Sequence, residues 1–455
     1  LQQHYSPYHI TLLKPYIFQV ACPPQRLPEK PNACETQTKP APVLPYRPFP
    51  PPKQEIHTMP KPPKHILLGI SGGIAAYKSC ELVRLLKKQG HSVSVAMSRA
   101  ATEFVSPQTF QALSGQSVWT DHSAAQGNGM AHINLSREAD VFLIAPASAN
   151  TLAKIAHGLA DNLLATLAAA RACPLAVAPA MNVEMWRNPA NLRNIAQLQA
   201  DGIAVFGPAS GSQACGETGE GRMLEAAELA ELLPDLWTPK LLTGQRVLLT
   251  AGATFEAIDP VRGITNLSSG RMGVALAQAC RAAGAEVVLV AGQLQVPAPA
   301  GIAVRHAHSA QEMYDAVMRE AGACDVFIGV AAVADYCVAN RSAEKLKKDG
   351  SGTPPAIELA ENPDILAAVA RLPNAPFCVG FAAESHHVLE HARAKRLRKG
   401  VPLMVANSVA DAMGSTSNRV TLISASGETA LPEMGKRSTA DAIVAEIARL
   451  LGEVG

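Results

Sequence analysis

The chain has 455 residues, 48% hydrophobic and 4% aromatic, with a formal net charge of +2. That length gives room for two or three domains, while the near-zero charge and scarce aromatics argue against a nucleic-acid surface. No uninterrupted apolar run of about 18 residues occurs, so no membrane span is expected, and nine scattered cysteines without a CxxC pair fit free thiols in a reducing cytoplasm.

Residues 1–63 hold 16 of the 34 prolines, in runs such as "RPFPPPK" and "MPKPPKH". Proline at this density fixes φ and removes backbone donors, so a disordered, extended segment is expected. It lacks the apolar core of a secretory signal and the Arg/Ser richness of a transit peptide. Met59 stands just before the first orderly strand, and residues 1–58 are expected to be an upstream extension outside the native protein. A real disordered tail and a proline-rich partner ligand are the alternatives.

From Lys64 the pattern becomes regular. "KHILLGI", "HSVSVAMS", "ADVFLIAPAS" and "PLAVAPAMN" are short apolar runs, each ending in small or turn-forming residues. Helical periodicity follows, as in "SGGIAAYKSCELVRLLKKQG" and "NTLAKIAHGLADNLLATLAAARA". Buried strands alternating with helices predict βαβ units and a mostly parallel sheet. This block, residues 64–235, ends at "PDLWTPKLLTGQR", where two prolines and a glycine predict a linker over 236–243. The scheme restarts over 244–455 with "RVLLTAGAT", "GRMGVALAQACRAAGAEVVLVAG", "CDVFIGVAAVADY", "PFCVGFAAE" and "LMVANSV". The fold class expected is α/β, two doubly wound Rossmann-like domains behind the proline-rich extension.

Ligands of such sheets bind beyond the carboxyl ends of the strands. In the first block Gly72 and Gly73 sit where a strand turns into a helix, whose N-terminus can hold a phosphate. The loop is not GxGxxG and the following strand ends in hydroxyls, Ser98 and Thr102, so a mononucleotide fits better than a dinucleotide. Ser148, Asn150 and Thr151 crowd a helix start, as caps or as flavin or phosphate contacts. Asn182 ends an apolar strand, where its amide can meet a carboxylate. His132 precedes a short helical segment and reads either as a surface residue or as a base. In "GSQACGETGEGRM" four glycines make a poor helix and a poor strand, so Cys215 is expected on a mobile loop.

"SGGIAAYK", "HINL", "PASANT", "GLADNLL", "PAMN" and "GSQACGETGEGRM" occur in this order between Lys64 and Glu231. Together they resemble the flavin-dependent cysteine decarboxylases, specifically the phosphopantothenoylcysteine decarboxylase half of a bifunctional coenzyme A enzyme. The resemblance implies FMN as cofactor. It also implies oxidation of the substrate cysteine to a thioaldehyde, loss of carbon dioxide and re-reduction of an enethiolate. By resemblance Cys215 is the proton donor, His132 the active-site histidine and Asn182 the carboxylate ligand. Gly72, Gly73, Ser98, Ser148, Asn150, Thr151 and Ala180 match flavin-contacting positions.

In the second block Thr250, Gly252 and Thr254 form a strand-to-helix turn, and Arg262 and Asn266 precede "SSGRMG", either a capped helix start or a phosphate site. Asp335 is read as ending a strand. The basic loop with Lys345, Lys347 and Lys348 is a solvated face or a triphosphate partner. "DPVRGITNLSSGRMG", "AAVADY", "EKLKK", "NPDIL", "GFAAE" and "KRLRKG", from Gly244 onward, resemble the phosphopantothenate–cysteine ligase half of the same enzyme. That implies CTP activation of 4′-phosphopantothenate as an acyl cytidylate, attack by the cysteine amine, and a divalent cation such as Mg2+ on the triphosphate. Lys345 then serves activation, and Asn266 the acyl intermediate, with Arg262 beside it. Asp335, Lys345, Pro363, Asp364, Ile365, Leu366, Phe381, Lys395 and Lys399 match CTP contacts, while no direct metal ligand is identified. Gly263, Arg271 and Cys337 depart from the family pattern without touching these residues.

The expected protein is a cytoplasmic bifunctional enzyme acting on small molecules. The resemblance implies trimeric decarboxylase and dimeric ligase contacts, which a dodecamer would satisfy. The alternatives are a two-domain NAD-dependent oxidoreductase, weakened by the missing GxGxxG, and a non-catalytic flavin-binding regulator, weakened by the presence of Cys215, His132 and Asn182.

Overall fold

Strands form where apolar residues run without interruption, because both faces of each sheet are covered. In His65–Ile70, Ile66, Leu68 and Ile70 pack to one side and Leu67 to the other, all fully buried. The computed structural model describes residues 62–122, 131–347, 356–408 and 417–454. The proline-rich stretch through residue 61, and Lys348, lie outside the described residues.

The first sheet has six parallel strands. Their spatial order is Trp119–Thr120, Ser92–Met97, His65–Ile70, Val141–Ala147, Leu175–Pro179 and Ala204–Val205. The second sheet runs Ala303–His306, Glu286–Ala291, Arg246–Ala251, Val326–Gly329, Phe377–Glu384 and Leu403–Ser408, all parallel. Two antiparallel strands, Val420–Ile423 and then Glu428–Ala430 at the edge, complete it. Counted within each sheet, the parallel strands follow the order 3-2-1-4-5-6. The order therefore reverses between the first and fourth strands, the place where doubly wound sheets bind ligands. The α/β expectation is met in both halves.

Several local expectations are corrected. The helical run after Ser148 is two helices, Ala149–Ala156 and Leu163–Ala170. Gly158 at φ +66° ends the first, and the Asn162 side chain caps the second through the Ala165 N–H. The Gly-rich stretch around Cys215 is mostly a β-hairpin, Ala209–Ser212 paired with Thr218–Arg222. The strand expected to end at Asp335 ends at Gly329. Beyond Gly329 side-chain hydroxyls take part in the pairing: Thr250 accepts from the Val330 and Ala331 N–H groups and Thr254 from the Ala334 N–H, while Ala332 keeps backbone bonds to Gly252 and Thr254. Between Thr254 and Asn266 lies an unforeseen hairpin, Phe255–Ala257 with Gly263–Thr265.

The stretch between the sheets is held by charge and hydrogen bonds. The Arg281 guanidinium meets Asp235 at 2.8 Å and Glu231 at 3.1 Å, and it also donates to the Ala300 carbonyl. Lys240 Nζ donates to the Asp235 and Ala282 carbonyls.

Candidate active sites

At the reversal point of the first sheet, two loops are tied together by Ser71. Its hydroxyl donates to the Pro146 carbonyl at 2.8 Å and accepts from the Ser148 N–H at 2.8 Å. Gly72 has no room for a side chain, since a Cβ there would sit 2.5 Å from the Ala100 Cβ, whereas one on Gly73 would point into open space. Ser98 joins this cluster by donating its N–H to the Ile70 carbonyl, and its hydroxyl caps the 3-10 turn Arg99–Glu103. Ser148 caps Ala149–Ala156 through the Thr151 N–H; Thr151 is buried and Asn150 exposed. The Ala180 N–H donates to the Ala147 carbonyl, bringing the next strand end to the same edge.

A cavity of about 570 Å³ opens here, lined by Gly73, Tyr77, Lys78, Ala180, Asn182 and Cys215, among others. Asn182 does not end the strand but caps the following helix, Val183–Arg187, by accepting from the Met185 N–H at 2.8 Å. Its Nδ2 donates to Glu217 at 2.8 Å. Cys215, exposed at the hairpin tip, directs its thiol at Glu217, 3.4 Å away, and at Gln213, 3.7 Å away. The hairpin rests on the strand end through Met181 N–H to the Gly221 carbonyl. Gly221 (φ +132°) permits this approach, because a Cβ there would lie 2.4 Å from the Met181 carbonyl oxygen. Lys78, buried beside the cavity, bonds the Met223 carbonyl and Glu225 at the hairpin base.

Of the residues expected here, Gly73, Ala180, Asn182 and Cys215 share the cavity wall; Gly72, Ser98, Ser148, Asn150 and Thr151 do not line it. His132 is corrected from preceding a helix to lying within one, Ala131–Glu138; its side chain is outside the described residues. The open turn at Gly73, with the capped helix start at Ser148 and a cavity of this size, fits a flavin mononucleotide. Lys78, Gln213 and Glu217 went unnoticed in the sequence. A charged residue in a Gly-rich stretch reads as solvated, and only the hairpin register brings Glu217 to Asn182.

The second site lies at the corresponding edge of the second sheet. A cavity of about 680 Å³ is lined by Asp335, Pro363, Asp364, Ile365, Leu366, Phe381, Lys395 and Lys399, all expected to contact CTP. Asp364 caps Ile365–Ala370 through the Ala367 N–H and pairs with Lys399 at 2.9 Å. Burial works to raise the Asp364 carboxyl, but the Lys399 ammonium and the cap bond outweigh it and hold it below its usual value. Lys395 donates to the Phe381 carbonyl at 3.0 Å. Burial first, then the neighbouring Lys399, push the Lys395 ammonium below its usual value. Arg398, on the same helix, Val388–Lys399, also lines the cavity and was missed.

Lys345, Asn266 and Arg262 are not among the residues lining this cavity. Asn266 donates to the Ala332 carbonyl at 2.9 Å, which holds the hairpin to the loop after Gly329. Arg262 pairs with buried Asp259 at 2.5 Å and donates to the Leu346 carbonyl at 2.7 Å, while the Leu346 N–H donates to Asp259 at 3.1 Å. The Arg262 guanidinium holds the Asp259 carboxyl well below the usual carboxylate range. Lys345 is thus exposed on a loop anchored through Asp259. Among the described residues no group of three or more His, Cys, Asp or Glu side chains could hold a metal ion, and no helix is long and apolar enough to cross a membrane.

Comparison with known proteins places both halves. The family model described as Flavoprotein matches residues 54–237, and that of the DNA/pantothenate metabolism flavoprotein C-terminal domain matches 242–451. The coenzyme A biosynthesis bifunctional protein CoaBC of Vibrio vulnificus is 47% identical over 395 residues, covering 86% of this chain and 98% of that protein. Its counterpart in Mycobacterium tuberculosis is 44% identical over 409 residues, covering 86% and 97%. A crystal structure of the C-terminal domain of such a protein is 35% identical, covers 47% of this chain and 99% of that one, and has a TM-score of 0.41. With both halves matched in order over nearly the whole length of these relatives, the chain belongs to the family of bifunctional coenzyme A biosynthesis proteins, which carry phosphopantothenate–cysteine ligase and phosphopantothenoylcysteine decarboxylase activities on one polypeptide.

Proposed function

We propose that the division of labour falls between residues 64–235 and 244–455, with 236–243 as linker, and that each half works at the edge where its strand order reverses. The first half holds FMN through Gly72, Gly73, Ser98, Ser148, Asn150, Thr151 and Ala180. The observation that carries this reading is the sharing of one cavity by the Gly73 turn, Asn182 and Cys215. Bound flavin supplies hydride acceptance from, and return to, the substrate's cysteinyl carbon. The protein's part is to orient and to move protons. Asn182 Nδ2 holds the substrate carboxylate next to the reacting carbon, and His132 serves the same site. The Cys215 thiol gives its proton to the carbon that has lost carbon dioxide; the electron pair stays on sulfur, which regains a proton from solvent.

In the second half, Asp335, Pro363, Asp364, Ile365, Leu366 and Phe381 hold the nucleoside part of CTP, and Lys395 and Lys399 face its phosphates. Lys345 enters on its loop to stabilise charge during carboxylate activation, while Arg262 sets that loop and Asn266 serves the acyl-cytidylate step. A divalent cation such as Mg2+ would accompany the CTP triphosphate and help neutralise its charge.

The enzyme works in the cytoplasm as a homo-oligomer with trimeric decarboxylase and dimeric ligase contacts. Ile74 and Tyr77, apolar and largely exposed at the first cavity, support a covering neighbour there. The test is purified protein with 4′-phosphopantothenate, L-cysteine, CTP and Mg2+, products read by mass. Phosphopantetheine with pyrophosphate and CMP is the expected outcome; absence of phosphopantothenoylcysteine and of phosphopantetheine would overturn the assignment.

A further inference from the structure

The Asn182 amide is already occupied by a carboxylate. Its Oδ1 is committed to the helix cap at Met185, which leaves Nδ2 as the donor available to a ligand. Glu217 Oε2 accepts from that Nδ2 at 2.8 Å, and the same oxygen accepts from the Cys215 thiol at 3.4 Å. The arrangement is braced around it. The Gln213 N–H donates to the Glu217 carbonyl at 2.8 Å, Gln213 Oε1 accepts from the Val183 N–H at 3.0 Å, and its Nε2 donates to the Glu220 carbonyl at 3.1 Å. One carboxylate oxygen thus joins the Asn182 amide to the Cys215 thiol, beside the backbone and Gln213 bonds that seat the hairpin.

We propose that Glu217 is a positioning residue that stands in for the substrate's carboxylate. Before substrate binds, it fills the carboxylate place on Asn182 and keeps the hairpin tip, with Cys215, seated against the site. The incoming carboxylate displaces it from Asn182. The chemistry of the displaced position explains why the thiol is there. A thiol that points at a carboxylate held by Asn182 points, once carbon dioxide has gone, at the carbon left behind. That carbon gains the proton: an S–H bond breaks, a C–H bond forms and the electron pair remains on sulfur. Glu217 therefore competes with substrate and, by mimicry, sets the direction of Cys215. This inference rests on the proposed role of Asn182 as carboxylate ligand.

The test compares two ligands on the FMN-loaded full chain. One is the serine analogue of phosphopantothenoylcysteine, which keeps the carboxylate but cannot form a thioaldehyde. The other is phosphopantetheine, which has no carboxylate. A neutral amide is a weaker acceptor than a carboxylate, so Glu217→Gln is expected to bind the serine analogue about three- to tenfold more tightly, about 1 kcal/mol, with the phosphopantetheine affinity unmoved. A merely structural role would shift both ligands together. Equal shifts, an unchanged affinity, or weaker binding of the analogue overturns the inference. Asn182→Ala is measured beside it and is expected to weaken the analogue selectively. If it does not, the carboxylate role of Asn182 fails and the inference with it. If it does and Glu217→Gln shows no selective gain, the inference alone fails. Ligase turnover by the same variants checks that the chain is folded.

Discussion

At the scale of single residues, the two half-reactions separate cleanly. Cys215→Ser removes the proposed acid but leaves Asn182 and the proposed flavin cradle intact, so oxidation and decarboxylation should continue. The released product should be the oxidised enethiol, lighter than phosphopantetheine by two hydrogens; mass analysis of the product decides it. Lys345→Gln should abolish CTP-dependent pyrophosphate release by at least about a hundredfold, as expected for loss of charge stabilisation at a developing phosphate. Decarboxylation of supplied phosphopantothenoylcysteine by that variant should be unchanged. These residues were legible because their neighbours in sequence form long, specific motifs. Glu217 and Lys78 were not, since nothing local distinguishes them from solvated charges. A hydrogen bond spanning 35 positions, from Asn182 to Glu217, and one spanning 147, from Lys78 to Glu225, give them their meaning. For Asp335 and Lys345, proposed here for CTP binding and activation, the sequence did not show the setting, because the loops that carry them are shaped by Thr250, Thr254 and Asp259.

At the scale of elements, the hairpin carrying Cys215 was the largest surprise. Four glycines lower strand propensity, yet the stretch pairs because its backbone must approach another backbone. Gly221 lies against the Met181 carbonyl, and Gly219 against the Val183 side chain, where a Cβ would come within 2.7 Å. At these two positions glycine serves close contact. Gly221→Ala should therefore tilt the hairpin away from Asn182 and cost about 1–3 kcal/mol of local strain. Decarboxylation should fall by at least about tenfold while ligase turnover stays level. Assays of the two half-reactions on one preparation check this, and a parallel loss of both would mean that the hairpin is not the element affected. The helical run that breaks at Gly158 is likewise decided at a glycine. Periodicity on either side was correct, but a left-handed glycine and a capping asparagine separate the two segments.

At the scale of the whole molecule, the Arg281 cluster fastens the stretch between the sheets. Arg281 is 11% exposed and its partners Glu231 and Asp235 are 20% and 17% exposed, so removing the guanidinium leaves two carboxylates poorly solvated. Arg281→Ala should lower unfolding free energy by about 2–3 kcal/mol and open the Leu236–Gly244 stretch to proteolysis, measured by urea titration and by timed digestion. Unaltered cleavage there would show that the cluster does not hold the connection. The amino-acid sequence carried the α/β class and the family motifs that surround the residues proposed here for both sites. It could do so because uninterrupted apolar runs report two-sided burial and because long motifs identify their family. Tertiary structure alone decided which of those residues meet. Strand order, and hence the reversal point, depends on crossover connections between distant segments. The same holds for the seating of Cys215 by Glu217 and for the anchoring of the Lys345 loop by Asp259, since both rest on hydrogen bonds to backbone or amide groups that no local pattern specifies.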